Sequence, residues 1–293
     1  MPTMQMTAFR TPIAVVMWVL SVVLIVVGLL AGSVGPAGDD GFGEAFGISL
    51  IVLAFSTTGL VLAVRVPMNR MGWLYLSSGV LGGISVSSYL YAQAGLSEAD
   101  PSEAYAYAAA VSAAVYFPWI LSMISLPVLL FPTGYPPSRR WLWLQWLIGG
   151  VAIVLFVGRL LSTSPIADLE PFTSPIGIVQ IDRLFNLLPV AGLVIASLLV
   201  SLLGPPVALV YRYKRADGLQ RQQLKWLVYA AGVAAAGLAL TYTIGEMTDS
   251  ALVSGATALG LLGVLGIPIA TGAAVTRYRL YDLDRVISRT VSY

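Results

Sequence analysis

Two residue types are missing from this chain, and each absence excludes a class of function. Its 293 residues include no cysteine, which excludes disulfides, thiolate metal sites and catalytic thiols. They include no histidine, which removes the commonest general base, a common metal ligand and any phosphohistidine. A glycine-rich phosphate loop followed by lysine is also missing. We therefore expect the chain to be no enzyme by itself and to hold no metal and no cofactor.

Charged residues are scarce as well. They make up 10% of the chain against 58% hydrophobic residues, whereas a soluble domain carries roughly 25% charged and 45–50% apolar residues. The charges fall in short gaps between long apolar runs, and such gaps separate the spans of membrane proteins. The composition predicts an all-α fold, a polytopic bundle of membrane helices.

Eight apolar stretches are long enough to cross a bilayer, since about 20 helical residues cover a hydrocarbon core of roughly 30 Å. They span about residues 11–30, 46–66, 71–93, 107–131, 141–161, 184–210, 226–244 and 251–275. The first stretch is longer than the core of a signal peptide, so we expect it to remain as an uncleaved span. Residues 1–275 are then one multi-pass transmembrane domain, followed by a basic tail at 276–293.

The distribution of charge sets the expected orientation. With the N-terminus inside, all but two of the 16 Lys and Arg residues fall in segments on the cytoplasmic side, and Arg159 and Arg183 are the exceptions. Most of the 14 Asp and Glu residues fall outside. The positive-inside rule therefore predicts a protein of the cell (plasma) membrane with both its N-terminus and its C-terminus in the cytoplasm.

Acidic residues in the predicted outer loops are the candidates for a ligand-facing site. Three of them follow the third span and two lie in the longest loop: Glu98, Asp100, Glu103, Asp168 and Glu170. Tyrosines 89, 91, 105 and 107 flank the first group. These rings suit stacking on a ligand, and they equally suit an interfacial aromatic belt in which the carboxylates only complete the charge asymmetry.

Prolines interrupt three of the predicted spans, at Pro118 and Pro127, at Gly204–Pro206 and at Pro268. Proline removes a hydrogen bond inside a helix and bends it. Broken helices build the sites of some transporters, so a small-molecule or lipid transporter is an alternative function. Ionisable residues in mid-span are almost absent, which disfavours an ion channel or a proton-coupled pump.

Four short segments on the predicted cytoplasmic side combine basic and aromatic residues. They are Asn69–Trp73, Phe131–Trp141, Arg221–Trp226 and the tail Arg277–Arg289. Together they resemble the N-terminal multi-pass membrane region of bacterial sensor histidine kinases, in the same order along essentially the whole chain. One departure is Gly134-Tyr135, because the family's loop has a basic residue after the glycine.

The resemblance implies a sensory or signal-input module of a two-component system. In that family a cytoplasmic kinase core, with its phosphoacceptor histidine, follows the tail; this chain stops at Tyr293 and has no histidine. The resemblance therefore predicts a kinase core or a response-regulator system that is encoded separately, and it allows a homodimer. The lipid bilayer is the other expected partner, and no nucleic acid is expected. A structural or assembly role is a third reading.

The tail is the predicted output element. Its apolar residues Leu280, Leu283, Val286 and Ile287 recur at roughly helical spacing, which is typical of a short amphipathic helix at the interface or against a partner. The residues assigned to this role are Arg277, Arg279, Tyr281, Asp282, Asp284, Arg285 and Arg289. An ordinary basic flank of the last span is the alternative.

Overall fold

The computed structural model describes the backbone of residues 2–33, 39–166, 168–245 and 251–291, and within these ranges it contains helices and no strand. Side chains are described for residues 10–33, 45–166, 168–218, 220–237, 239–241, 243 and 255–276. The all-α prediction is confirmed for this part of the chain.

The described ranges contain ten α-helices. They are α1 (Pro2–Gly32), α2 (Asp39–Arg65), α3 (Arg70–Gly95), α4 (Glu103–Ile120), α5 (Leu126–Leu130), α6 (Leu142–Leu160), α7 (Val179–Asn186), α8 (Leu188–Arg215), α9 (Gly218–Gly245) and α10 (Ala251–Val291). A π-helical turn, Leu121–Ser125, joins α4 to α5, and a 3-10 turn, Arg139–Trp141, leads into α6.

Seven helical segments of the described chain are long and apolar enough to cross a membrane. They are Arg10–Gly32, Ala45–Arg65, Glu103–Leu130, Arg139–Leu160, Leu188–Arg215, Gln220–Thr241 and Gly255–Thr276. The third predicted span forms α3, which has 26 residues but is not one of the seven. Its serines and glycines lower its hydropathy, and α1, α2 and α4 all pack against it. A helix enclosed by other helices needs no apolar surface for lipid.

Glycine brings α2 and α3 into close contact. A Cβ added at Gly72 would lie 2.5 Å from the backbone nitrogen of Ala63, and one added at Gly79 would lie 2.6 Å from the Cβ of Ser56. Such approaches are possible only without a side chain, and small residues drive helix association in membranes in this way. The same contact forms between α9 and α10, where a Cβ at Gly263 would meet the nitrogen of Ala234 at 2.2 Å.

The fourth predicted span is continuous but not regular. Pro127 has no N–H, so the bond that would run back to residue 123 cannot form. Instead the backbone N–H of Leu126 donates to the carbonyl of Leu121, five residues back, which is the π-helical pattern. The span therefore holds a local widening next to Pro127.

The sixth predicted span begins later than its hydropathy indicates. Residues 184–186 belong to the separate helix α7, Leu187 is extended, and α8 starts at Leu188. Pro189 stands in the first turn of α8, where its missing N–H is not needed. At its other end α8 continues to Arg215, five residues past the predicted boundary.

The loops lie at two ends of the bundle. We call the end with loops 66–69, 131–138 and 216–217 the basic face, and the end with loops 96–102 and 161–178 the acidic face. Most of the core lies between them, and Phe55, Leu62, Met71 and Tyr75 are fully buried in it.

Candidate functional site at the basic face

The first two basic loops meet at the start of α3. Asn69 caps this helix, since its Oδ1 accepts from the backbone N–H of Met71 at 2.9 Å. Its Nδ2 donates to the carbonyl of Pro132 at 3.0 Å. The guanidinium of Arg70 lies 4.4 Å from the centre of the Tyr135 ring. The segments Asn69–Trp73 and Phe131–Trp141, which are 63 residues apart at this hydrogen bond, therefore form one contact surface.

Gly134 is required at the turn of the second loop. Its φ is +81°, in the left-handed region that residues with a side chain rarely adopt. A Cβ at this position would also lie 2.7 Å from the Cβ of Arg70. The glycine therefore allows both the turn and the close approach of Arg70.

Arg212 of α8 holds the second loop in place. Its side chain is 8% exposed, and its guanidinium donates to the carbonyl of Phe131 and, at 2.6 Å, to the carbonyl of Tyr135. Within the described residues no carboxylate lies within ion-pair distance of Arg212, so carbonyl dipoles are its only partners there. The sequence placed Arg212 only among the cytoplasmic charges. Basic residues are common where a span ends, so the sequence carried no signal that Arg212 turns inward.

The third segment joins α9 to its neighbours. Arg221 lies 4.8 Å above the ring of Tyr213 on α8. Gln223 donates through Nε2 to the carbonyl of Ala274 on α10 at 3.1 Å. The described parts of all three loop segments therefore occupy the basic face, and the contacts that hold them there are visible only in the structure.

A polar cleft of about 240 Å³ opens between the second loop, the end of α8 and the start of α9. It is lined by Thr133, Pro136, Pro137, Ser138, Tyr211, Arg212, Arg215 and Gln220. Arg215 is exposed, and its guanidinium lies 4.4 Å from the centre of the Tyr211 ring. The cleft thus has one buried and one exposed guanidinium in its walls.

The backbone of the predicted output tail is helical, because α10 runs without interruption from Ala251 to Val291. Thr271, in the same helix, accepts a hydrogen bond of 2.8 Å from the hydroxyl of the fully buried Tyr75 on α3. The side chains of the assigned tail residues lie outside the described residues: Arg277, Arg279, Tyr281, Asp282, Asp284, Arg285 and Arg289.

The five acidic candidates lie at the acidic face, and the structure does not gather them into one site. All five are exposed, and the described residues contain no group of three acidic side chains placed to hold a metal ion. Glu98 accepts a 2.6 Å hydrogen bond from the hydroxyl of Tyr105. Tyr105 stacks on Tyr91 at 4.8 Å between centroids and faces Phe172 at 6.5 Å. These tyrosines pack against each other and against the long loop.

The long loop 161–178 of the acidic face is closed by an apolar cluster and by one carboxylate. Ile166, Leu169 and Phe172 are buried against the alanines of α3 and α4. Asp182 of α7 accepts from the Ser162 hydroxyl at 2.6 Å and from the backbone N–H of Thr163 at 2.7 Å. The Ser162 and Thr163 hydrogen bonds hold the pKa of this carboxyl below its usual value. Asp182 had not been assigned a role, since a lone acid in a loop carries no distinctive sequence signal.

No family model, curated protein or solved structure matches this chain. Its function is therefore inferred from its own residues.

Proposed function

We propose that the chain is a sensory or signal-input module of the bacterial plasma membrane, which passes a displacement of its membrane helices to a cytoplasmic kinase core. The observation that carries this proposal is α10, whose unbroken helix joins the core at Thr271 to the tail at residues 277–291. A rigid helix moves as one piece, so a shift of its part in the core displaces the backbone of the tail. The basic and aromatic loop segments resemble those of sensor kinases and support the same reading.

The contact between α3 and α10 is the proposed coupling point. Tyr75 is fully buried and meets Phe55 of α2 edge to face at 5.1 Å. Its hydroxyl has Thr271 as partner in a region remote from solvent. Since α3 packs against α1, α2 and α4, and α2 also packs against α10, movement of these helices is passed to α10 through the Tyr75–Thr271 contact and through α2. Coupling of this kind requires two arrangements of the bundle that both ends of the protein can bias.

Removing one oxygen atom tests the coupling. The chain is fused after Tyr293 to a compatible kinase core, and Tyr75→Phe is compared with Tyr229→Phe, which removes the same atom from a side chain that is 71% exposed. We expect Tyr75→Phe to change autophosphorylation by about threefold, because an interhelical hydrogen bond in a membrane protein contributes about 0.6 kcal/mol on average. The Tyr229→Phe variant should behave as the parent. Equal output from all three proteins, with equal membrane insertion, contradicts the coupling.

The tail is tested in the same fusion by replacing Asp282, Asp284 and Arg285 with alanine. If the tail transmits the signal, kinase output changes while insertion stays normal. Unchanged output makes the tail a charged flank of the last span.

We further propose that α3 is an eighth span and that the basic face and both ends of the chain are cytoplasmic. Charge distribution supports this orientation. Single cysteines at Ser97 and Thr173 on the acidic face, and at Met68 on the basic face, test it, since all three positions are exposed. An impermeant thiol reagent should label the first two in intact cells and label Met68→Cys only after lysis. Labelling of Met68→Cys in intact cells refutes the orientation.

Transport of a small polar solute is the second candidate function. It is favoured by four buried polar atoms that have no hydrogen-bond partner within the described part of the bundle, on Ser56, Ser78, Trp119 and Ser125. They lie on α2, α3 and α4 and in the π-helical turn, and π-helical turns occur frequently at functional sites. Solute efflux from proteoliposomes separates the two functions. Uptake or release above that of empty liposomes supports transport, and its absence together with signalling in the fusion supports the sensor.

A further inference from the structure

We infer that the polar cleft of the basic face binds the phosphate group of an anionic ligand, either a lipid headgroup or free phosphate. The inference rests on the cleft's own residues and holds for a sensor and for a transporter alike. Two guanidinium groups, Arg212 and Arg215, line the cleft. Among the lining residues none is acidic. Guanidinium groups match the geometry of phosphate oxygens and are the side chains that most often bind them in pairs of hydrogen bonds.

The buried charge of Arg212 calls for a counter-ion. Its two carbonyl partners, Phe131 and Tyr135, carry dipoles but no net charge. Burying a cation without an anion is costly, and a phosphate beside it would reduce this cost. Asp217, the nearest acidic residue along the chain, is exposed and caps α9 by accepting from the backbone N–H of Gln220 at 3.0 Å. Its carboxylate therefore has a structural role outside the cleft lining.

The remaining lining suits a small, polar ligand. Thr133, Ser138, Tyr211 and Gln220 supply hydroxyl and amide groups, which are neutral hydrogen-bond donors for phosphate oxygens. The adjacent Pro136 and Pro137 restrict the backbone of this wall, so it loses less entropy on binding. A volume of about 240 Å³ is below the range of about 300–1,000 Å³ that holds drug-sized ligands, and fits a headgroup or an inorganic anion.

The position of the cleft explains why a lipid is one of the two sources. Arg215 is the last residue of the apolar segment Leu188–Arg215, and the segment Arg139–Leu160 starts beside the cleft. The cleft therefore lies where these segments leave the hydrocarbon core. Phosphates of anionic lipids lie at the same level, where basic residues attract them.

Binding is measured on the purified full chain in two arms. In the lipid arm, micelles are titrated with phosphatidylglycerol, and native mass spectrometry counts the bound lipid, with phosphatidylcholine as reference. In the phosphate arm, inorganic phosphate replaces chloride at constant ionic strength, and the shift of the thermal unfolding transition is followed. Each variant must first show a cooperative unfolding transition.

Three variants distinguish binding in the cleft from general attraction of anions by the basic residues of this face. Arg215→Gln removes a cation of the cleft, while Arg221→Gln removes a comparable cation that lies over Tyr213 and does not line the cleft. Ser138→Ala removes a hydroxyl of the cleft at constant net charge. We expect Arg215→Gln to weaken binding about tenfold (about 1.4 kcal/mol). Ser138→Ala should weaken it about threefold, and Arg221→Gln less than about twofold.

The arm in which the three variants weaken binding in this order identifies the source of the phosphate group. The expected order in the lipid arm alone indicates a headgroup site, and the expected order in the phosphate arm alone indicates a site for a soluble ligand. The same pattern in both arms indicates a site that accepts either. Two results overturn the inference. One is the absence of saturable binding in both arms; the other is equal weakening by Arg215→Gln and Arg221→Gln with no effect of Ser138→Ala.

Discussion

The two faces of the bundle close their loops with charges of opposite sign. At the basic face, side chains donate to backbone carbonyls: Arg10 to Pro67 at 3.0 Å, Asn69 to Pro132, and Arg212 to Phe131 and Tyr135. At the acidic face, the carboxylate of Asp182 accepts from the hydroxyl and N–H groups of residues 162–164. Apolar residues of the same loop pack against α3 and α4.

This difference shows that charges of both signs hold loops of this protein in place. Cations need acceptors, and the carbonyls of loop 131–135 supply them. A carboxylate needs donors, and the hydroxyls and N–H groups of loop 162–164 supply them. Each face therefore ties down its longest described loop with a charge of the sign that prevails at that face: basic residues such as Arg65, Arg70 and Arg215 lie at the helix ends of the basic face, and acidic residues lie in the loops of the acidic face. The basic face uses a buried charge and the acidic face a more exposed one, so their contributions to stability should differ.

The largest effect is expected at Arg212. Arg212→Ala leaves the buried carbonyl of Phe131 without its partner, so we expect the free energy of unfolding in detergent to fall by about 3 kcal/mol. Arg212→Lys, which keeps the charge but lacks the planar fork that reaches two carbonyls, should lose less. Arg221→Ala serves as the control, because Arg221 is exposed. A loss at Arg221 equal to that at Arg212 contradicts the role of the buried guanidinium.

The second largest loss of stability is expected in the apolar cluster of the acidic face. Phe172 is 6% exposed and packs with Ile166 and Leu169. Phe172→Ala should lower the free energy of unfolding by about 2–3 kcal/mol, which is less than the about 3–5 kcal/mol usual for a buried aromatic side chain, because the cluster is small and lies at a loop. Thermal unfolding in detergent measures the loss, and limited proteolysis should show cleavage within residues 161–178. Phe46→Ala, at a side chain that is 48% exposed, is the control and should change little.

Substitution of Gly134, at the turn of loop 131–138, should lower the stability by a smaller amount. Gly134→Ala forces a side chain into the left-handed region and toward Arg70, and should cost about 1–2 kcal/mol. Gly149→Ala in α6 is matched to it, since a Cβ at Gly149 meets no atom within 4 Å. That control should be neutral or stabilise by up to about 1 kcal/mol, because alanine favours the helix. Equal unfolding free energies of the two variants would refute a special conformation at Gly134.

The smallest expected effect is that of Asp182, and it depends on pH. Because the folded protein holds the pKa of this carboxyl below its usual value of 3.8, its contribution is present above that value and is lost as the pH falls through the folded pKa. Asp182→Asn should therefore lower the unfolding temperature slightly at pH 7. The corresponding loss in the free energy of unfolding should be less than about 1 kcal/mol, because water screens this carboxylate. Thermal unfolding of both proteins at decreasing pH checks this, and the difference should vanish in strong acid. A difference that stays constant at every pH contradicts an ionised Asp182.

The candidate site was only partly predictable. Basic and aromatic residues identified the segments 69–73 and 131–141 as candidates, because such residues concentrate where spans leave the membrane. Their contact with each other and with Arg212 was not predictable, since hydrogen bonds between residues 63 to 81 positions apart leave no periodic signal. The acidic candidates were chosen by their charge and by the tyrosines that flank the first three, and among the described residues no three acidic side chains are placed to hold a metal ion.

The sequence by itself determined that the chain forms apolar helices separated by charged loops, because hydropathy and helix length are local properties that add up along the chain. It did not determine where each helix stands. Tertiary structure alone placed the least apolar long helix, α3, among its neighbours, turned Arg212 inward and split α7 from α8. These features depend on which side chains meet across the bundle: a buried glycine, serine or arginine is stable only where another helix supplies the close contact or the hydrogen-bond partner.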